Sequence, residues 1–513
     1  MKTDQGGRAK KSIVNVFTGV VLVAFMTVMT FAIRTVMIYT IGTEYLGLTN
    51  LFMSIMQVLN VSELGIGSVM VFFLYAPAAA GDKAKIDAYM KALHDIYVGI
   101  GVFILVVGLA LTPFLKHFIS GEMPPDANIY FLFVLYLICS VIQYFMYPEE
   151  VVLIEAYQRK DLSNIITLIA NVSSYVMQII VLYCFHNFML FIAAVGLRSV
   201  LNGVMRKYYG VKYFNEYRPQ GNISVEEKRD IRVKVSSIIG HQIDEQLFNS
   251  IDTVFISAII GLSAVTIYSN YFCVIKAVTL LASNVFKAIL PSVGNAVAVE
   301  TKESNYKRFL NVFWLGACFA GWTTICMIII YQNFMYLWMG SKQMLGLDMV
   351  ILFCLYSYLS QIRRTVTMFK DAAGMWWNDR YKPYISMAVD LILDAVLIRF
   401  MGLKGAIISS ILCLAVIEIP WETKILFRDY FQRSERTYII RNIVYGLINF
   451  AVLIAAFLFS EKVTSGTTGV SLVIRVLICC ASGVVLLIPY LRTEEFRSWK
   501  NTFMNMRHKP ISD

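Results

Sequence analysis

Fourteen apolar stretches, most of them about twenty residues or longer, follow one another between Ile13 and Tyr490. A run of roughly 20 apolar residues at 1.5 Å per residue crosses a hydrocarbon core of about 30 Å, and a single segment in lipid satisfies its own backbone hydrogen bonds only as a helix. The chain is therefore expected to be an all-α polytopic membrane protein of about 14 transmembrane helices. With 58% hydrophobic and 15% charged residues, it lies well below the roughly 25% charge of an average soluble domain.

The formal net charge of +11 raises nucleic-acid binding as an option, but the placement of the basic residues argues against it. Lysines and arginines concentrate in every second connection, and the alternate connections hold only Lys116, Lys342, Arg399, Lys404 and Lys462. This positive-inside alternation places both termini in the cytoplasm and requires an even number of crossings. The nine cysteines lie within or at the edges of spans, where they act as small apolar fillers, so no disulfide framework is expected. Residues 1–11 are polar and basic, and the 28-residue apolar run that follows lacks a small-residue cleavage site. It is expected to be a first span rather than a removable leader.

An internal repeat divides the chain. Ile41-Gly42 followed by Gly47-Leu48 precedes Ile260-Gly261 followed by Thr266-Ile267 by 219 positions, and each pair reads as the tight outer turn of a helical hairpin. The cytoplasmic Asp82–Lys85 and Thr301–Ser304 segments then match in kind, as do Tyr157–Asp161 and Trp377–Tyr381. The expected organisation is a first six-helix lobe over 1–213, a cytoplasmic linker over 214–234, a second six-helix lobe over 235–430, and two appended spans with a cytoplasmic tail over 431–513. Parallel repeats of this kind place a transport pathway between the halves.

An ionised group at the bilayer centre costs roughly 3 kcal/mol on insertion scales, so charges retained within spans need partners or a wet cavity. Spans here hold Arg34, Glu63, Arg198, Asp244, Glu245, Asp252, Lys276, Lys287, Asp390, Asp394, Glu418 and Arg475. His241, Glu245, Asn249 and Asp252 recur at helical spacing on one face. So do Ser269, Lys276, Ser283 and Lys287, and a third stripe pairs Asp390 with Asp394. Glu245 and Lys276 also read as a structural ion pair across a hairpin. Lys287, Arg363 and Arg364 lie near enough to the cytoplasmic surface to snorkel, and Glu418 and Arg475 read as structural. Arg34 and Asp252 occupy nearly equivalent positions in the two repeats with opposite charge, and are expected to approach when the outside is closed.

The stretches RTVMI (Arg34–Ile38), YLGLTNLF (Tyr45–Phe52), SELGIGS (Ser62–Ser68), LYAP (Leu74–Pro77) and DKAKI (Asp82–Ile86) resemble the opening of polysaccharide-exporting lipid flippases. Asp252–Ser257, Ile260–Leu262, Tyr268–Tyr271 and Ser292–Glu300 resemble the same family's middle portion, so the resemblance spans roughly residues 11 to 430. These flippases belong to the multidrug, oligosaccharidyl-lipid and polysaccharide exporter superfamily. The resemblance implies a bacterial inner-membrane protein that moves an undecaprenyl-pyrophosphate-linked glycan to the outer leaflet by alternating access, beside membrane lipids that shelter the polyprenyl tail.

The anionic head group of such a cargo suits Arg34, Arg198, Lys276 and Lys287, with Tyr268 and Asn270 as sugar contacts. Ordinary helix packing is the alternative for the aromatic residues. Asp244, Glu245, Asp252, Asp390 and Asp394 are candidates for binding a proton or a sodium ion. No GxxxxGK[ST] loop, HExxH pair or metal-spaced Cys/His cluster occurs, and the outer connections are too short for a catalytic domain, so neither an enzyme nor a cofactor is expected. The rival reading is a multidrug exporter of the same superfamily, whose organic-cation substrates call for an acidic and aromatic cavity.

Overall fold

The computed structural model describes residues 5–497 except 64, 122, 125–127, 465, 467, 492 and 494, and the backbone alone of 5–17, 20, 62, 237–249, 285, 288 and 376. Among the described residues the regular structure is entirely helical. The α-helices are α1 (Gln5–Thr40), α2 (Thr43–Leu59), α3 (Ile66–Ala80), α4 (Lys83–Leu111), α5 (Ile129–Phe145), α6 (Pro148–Ala156), α7 (Lys160–Ile180), α8 (Phe188–Phe214) and α9 (Val225–Ile259). They continue with α10 (Leu262–Val299), α11 (Lys302–Met339), α12 (Leu347–Ala372), α13 (Lys382–Met401), α14 (Leu403–Leu412), α15 (Ile419–Ile425), α16 (Arg436–Val463) and α17 (Gly469–Leu487). Counting the interrupted pairs α2–α3, α5–α6 and α14–α15 as one rod each reduces these seventeen helices to fourteen, as the hydropathy pattern requires.

Among the described residues, nine segments are long and apolar enough to cross a membrane, and the α5–α6 pair, bent by 46°, makes a tenth. Helices α12 and α13 fall short for a chemical reason. Arg363 and Arg364 lower the hydropathy of the first, and the second carries three charges, Asp390, Asp394 and Arg399, within one crossing length.

The chain divides into two compact units, Met1–Thr266 and Ile267–Asp513, with the boundary inside α10. In the first unit the repeat is visible in backbone detail. Gly42 (φ 111°) and Gly261 (φ 123°) turn the chain in a conformation that side chains rarely adopt. Their N–H groups donate to Met37 and Ile256 at 3.1 and 3.0 Å, positions that share the repeat offset. The two turns also touch at equivalent places. Ser263 Oγ donates to Glu44 at 2.9 Å, Thr266 Oγ1 donates to the Thr43 carbonyl at 2.6 Å, and a Cβ on Gly47 would lie 2.2 Å from the Leu262 carbonyl oxygen.

Two helix breaks shape the interior of this unit. A 3-10 turn over Asn60–Glu63 and left-handed Gly65 (φ 84°) separate α2 from α3. Left-handed Tyr147 (φ 54°) and Pro148 separate α5 from α6, because proline supplies no N–H to continue the ladder. The segment between α8 and α9 is strapped down. Buried Asp87 accepts from the Arg218 N–H at 2.7 Å and from Gln220 Nε2 at 3.1 Å, and the Tyr157 and Tyr217 hydroxyls lie 2.6 Å apart. Ser224 and Glu227 then form a capping box at the start of α9.

In the second unit α11 is the hub. Helices α16 and α17 dock on it through Asn449 Nδ2 to the Ala317 carbonyl (3.2 Å), Asn333 Nδ2 to Ser471 Oγ (2.8 Å) and Trp322 Nε1 to the Cys479 carbonyl (2.9 Å). Gly321 admits Asn449, since a Cβ there would lie 2.3 Å from the amide carbon. Phe309, Phe313, Phe369, Phe427, Phe431 and Tyr438 form one aromatic core that joins α16 to the rest.

Candidate functional site

In the first unit, Arg34 Nη2 on α1 donates to Asn50 Oδ1 on α2 at 3.0 Å, which fixes the guanidinium within the α1–α2 hairpin. Arg198 on α8 is exposed, while Asp252 on α9 is fully buried. The side chains of Asp244 and Glu245, on the same helix, lie outside the described residues.

In the second unit, Tyr268 and Asn270 are both buried. Tyr268 packs against Phe272 at 5.9 Å and Phe353 at 5.4 Å between ring centroids. Lys276 and Lys287 are exposed, and the Lys276 ammonium sits 5.6 Å from the Phe272 ring centre. Asp390 and Asp394, one turn apart on α13, are buried, and Ser409 of α14 donates to Asp390 Oδ1 at 2.8 Å. Gly405 allows that approach, since a Cβ there would lie 2.2 Å from the Leu397 carbonyl oxygen. Buried carboxylates with a hydroxyl at their edge form a donor set of hard oxygens, the chemistry that a proton or a small alkali cation requires.

Two further polar constellations emerge only in three dimensions. At the helix breaks of the first unit, a cavity of about 260 Å³ is lined by Glu63, Ser68, Tyr97, Tyr144, Glu155 and Arg206 among others. The Tyr144 hydroxyl donates to Glu63 at 2.5 Å, with Asn60 Oδ1 3.1 Å from the same oxygen, and the Tyr97 and Tyr144 rings stack at 6.1 Å. Arg206 Nε is buried and has no hydrogen-bond partner. The sequence marks Glu63 as a charge within a span, but Arg206 reads there only as one of many basic residues at an inner helix end.

The second constellation is a closed ionic network in the second unit. Arg363 grips Glu422 with Nε and Nη2, at 2.9 and 2.8 Å, and pairs with Glu418 through Nη1. Lys382 Nζ reaches Glu422 at 2.8 Å, while Lys370 pairs with Asp379 and lies 3.4 Å from Glu422. Arg364, next to this network in sequence, donates instead to Ser283 Oγ at 2.7 Å. Of these residues the sequence singles out Arg363, Arg364 and Glu418, whereas Lys370, Asp379, Lys382 and Glu422 carry no signal beyond the charge expected in and beside a connection.

Helices of this number and order make a multi-pass membrane fold, and solved structures of membrane transporters share it. The lipid II flippase MurJ in an inward closed conformation matches with a TM-score of 0.68 at 12% identity, over 93% of this chain and 99% of its own. An inward-facing multidrug resistance MATE family transporter of the MOP superfamily matches with a TM-score of 0.62 at 14% identity, over 77% of this chain and 93% of its own. A MOP superfamily transporter from Pyrococcus furiosus, described as having a binding pocket of reverse polarity, gives 0.56 at 12%, over 83% and 97%. No family profile matches the sequence, and no curated protein does. The chain has the fold of the multidrug, oligosaccharidyl-lipid and polysaccharide exporter superfamily.

Proposed function

We propose that the protein is a flippase that carries an undecaprenyl-pyrophosphate-linked oligosaccharide from the cytoplasmic to the outer leaflet of a bacterial inner membrane. The carrying observation is the sign of the accessible charge. On the apolar helices α8 and α10, Arg198, Lys276 and Lys287 are exposed, whereas the carboxylates Asp252, Asp390 and Asp394 are buried. A cation facing hydrocarbon costs roughly 3 kcal/mol, so accessible cations on spanning helices belong on a watery path, and they favour an anionic passenger. An exporter of organic cations calls for the opposite arrangement.

Alternating access would then expose the cationic path to each leaflet in turn, with Arg34 and Asp252 drawn together on the outer side. The extent of the fold match supports the same reading. What the flippase match leaves uncovered is shorter than α16 and α17 together, 28 and 19 residues, so the appended pair is at least partly shared with it. The buried carboxylates supply the coupling site for a proton or a sodium ion.

The test is the leaflet position of the cargo. Cells lacking the protein should strand a lipid-linked oligosaccharide on the cytoplasmic leaflet. Arg198→Ala or Lys276→Ala should cut flipping at least about tenfold, and Lys276→Arg should restore most of it. Unchanged leaflet distribution in the null strain, together with export of an organic cation, would overturn the reading. Collapsing the proton and sodium gradients separately would assign the coupling ion.

A further inference from the structure

We infer that the cavity at the two helix breaks of the first unit is a binding subsite for one neutral sugar ring, an inference that rests on the flippase reading for its biological ligand. The breaks themselves are the first reason. Irregular backbone at membrane depth is tolerated where it is buried in protein or lines a watery cavity, and discontinuous helices are where transporters hold their ligands. Here Glu63 and Gly67, on either side of left-handed Gly65, and Pro148 at the second bend line the same space of about 260 Å³.

The chemistry of the lining selects the occupant. Glu63 and Arg206 both face the cavity, yet Arg206 Nε–H is buried without an acceptor and the two side chains form no ion pair among the described residues. Arg206 lines the cavity with no salt bridge among the described residues, so its guanidinium favours an occupant that supplies an acceptor. A simple anion would meet that demand but be repelled by Glu63 and Glu155, and a simple cation would be repelled by Arg206. A hydroxyl accepts from the guanidinium and donates to a carboxylate at once, and a sugar ring presents several of them at fixed spacing. The stacked Tyr97 and Tyr144 rings offer the apolar surface on which the C–H face of a pyranose rests, and the Tyr144 hydroxyl holds Glu63 in place.

The experiment uses the full-length protein in lipid nanodiscs with glucose, rhamnose and N-acetylglucosamine as probes, read by saturation-transfer NMR. Inorganic pyrophosphate and tetraethylammonium serve as the charged comparisons. Saturation transfer should reach the neutral sugars, and Glu63→Gln and Arg206→Gln should each weaken binding at least about tenfold. Gly67→Leu, which projects into the cavity from its rim, should abolish the signal. Melting temperatures of all three variants check folding, and the two conservative substitutions keep the test open if the leucine variant misfolds.

Sugar signals indifferent to all of the variants that fold, preferential binding of pyrophosphate or tetraethylammonium, or no transfer at all because only water fills the cavity would each overturn the inference. The leaflet assay runs beside it. Cargo stranded in the null strain without sugar binding sinks the subsite alone, whereas variant-sensitive sugar binding without stranded cargo sinks the flippase reading and leaves the sugar site standing.

Discussion

The two units both bury charge among helices, and they do so in opposite ways. In the second unit three cations, Arg363, Lys370 and Lys382, meet three carboxylates, Asp379, Glu418 and Glu422, in direct contact. In the first unit Glu63 and Arg206 face one cavity without touching. A closed network joins its members by direct ion pairs and ties α12, α13 and α15 together. In an open pair the charges attract at a distance without a direct hydrogen bond, and an entering group can add one, which is the property of a binding site. The contrast separates charges that hold the fold from charges that await a ligand, although both classes look alike as a letter in an apolar run.

The sharpest way to break that distinction is to remove one charge from the closed network. Glu422 accepts from Arg363, Lys370 and Lys382, so Glu422→Gln leaves three cations facing Asp371, Asp379 and Glu418. Breaking a buried ionic contact on one side costs about 3–5 kcal/mol. Thermal unfolding in detergent should show a larger loss than any other single substitution in the charge clusters, and a melting curve indistinguishable from wild type would end the structural reading. Arg363→Lys comes next. It keeps the charge but loses the two-pronged grip on Glu422 and the simultaneous reach to Glu418, a loss of about 1–3 kcal/mol.

How far these arrangements can be read from the sequence depends on the distance over which the signal is written. The helices, the glycine hairpin turns and their 219-residue repeat are local patterns, and Gly42 and Gly261 adopt the same turn with equivalent backbone partners. The Asp390–Asp394 stripe is likewise a matter of helical spacing, and the structure buries both side chains on α13. The cavity is different, because Glu63, Tyr97, Tyr144 and Arg206 come from four separate segments and meet only where two helices break. Pro148 and Gly65 mark the breaks, but nothing in the sequence says that the breaks share a space. The ionic network hides for another reason. Lys370 and Lys382 sit where cytoplasmic lysines are expected in any case, so their burial to 1% exposure has no compositional trace.

The open pair predicts the opposite sign. Arg206→Met replaces a half-buried guanidinium, whose Nε–H lacks an acceptor, with an apolar side chain of similar length, and it should raise stability by about 1 kcal/mol while impairing sugar binding. A stability gain coupled to a functional loss is the signature of a group kept for its ligand. Equal losses in both would move Arg206 into the same class as Arg363.

A third charge cluster, set in water, calibrates the other two. Glu300, in the turn between α10 and α11, accepts from Ser304 Oγ at 2.6 Å and from Arg308 at 2.5 Å with about a third of each ion-pair side chain exposed. The Ser304 hydroxyl, and then the Arg308 charge, hold its carboxyl below the ordinary value of 4.5. A depressed folded-state value means that the contribution to stability is present above pH 4.5 and disappears as pH falls through the lower, folded-state value. Glu300→Gln should therefore melt only slightly below wild type at about pH 7, because water screens the pair, and the two curves should converge as the pH is taken below 4.5. A gap as wide as that of Glu422→Gln would mean that exposure does not discount these pairs, and the distinction between closed, open and solvated charge would lose its physical basis.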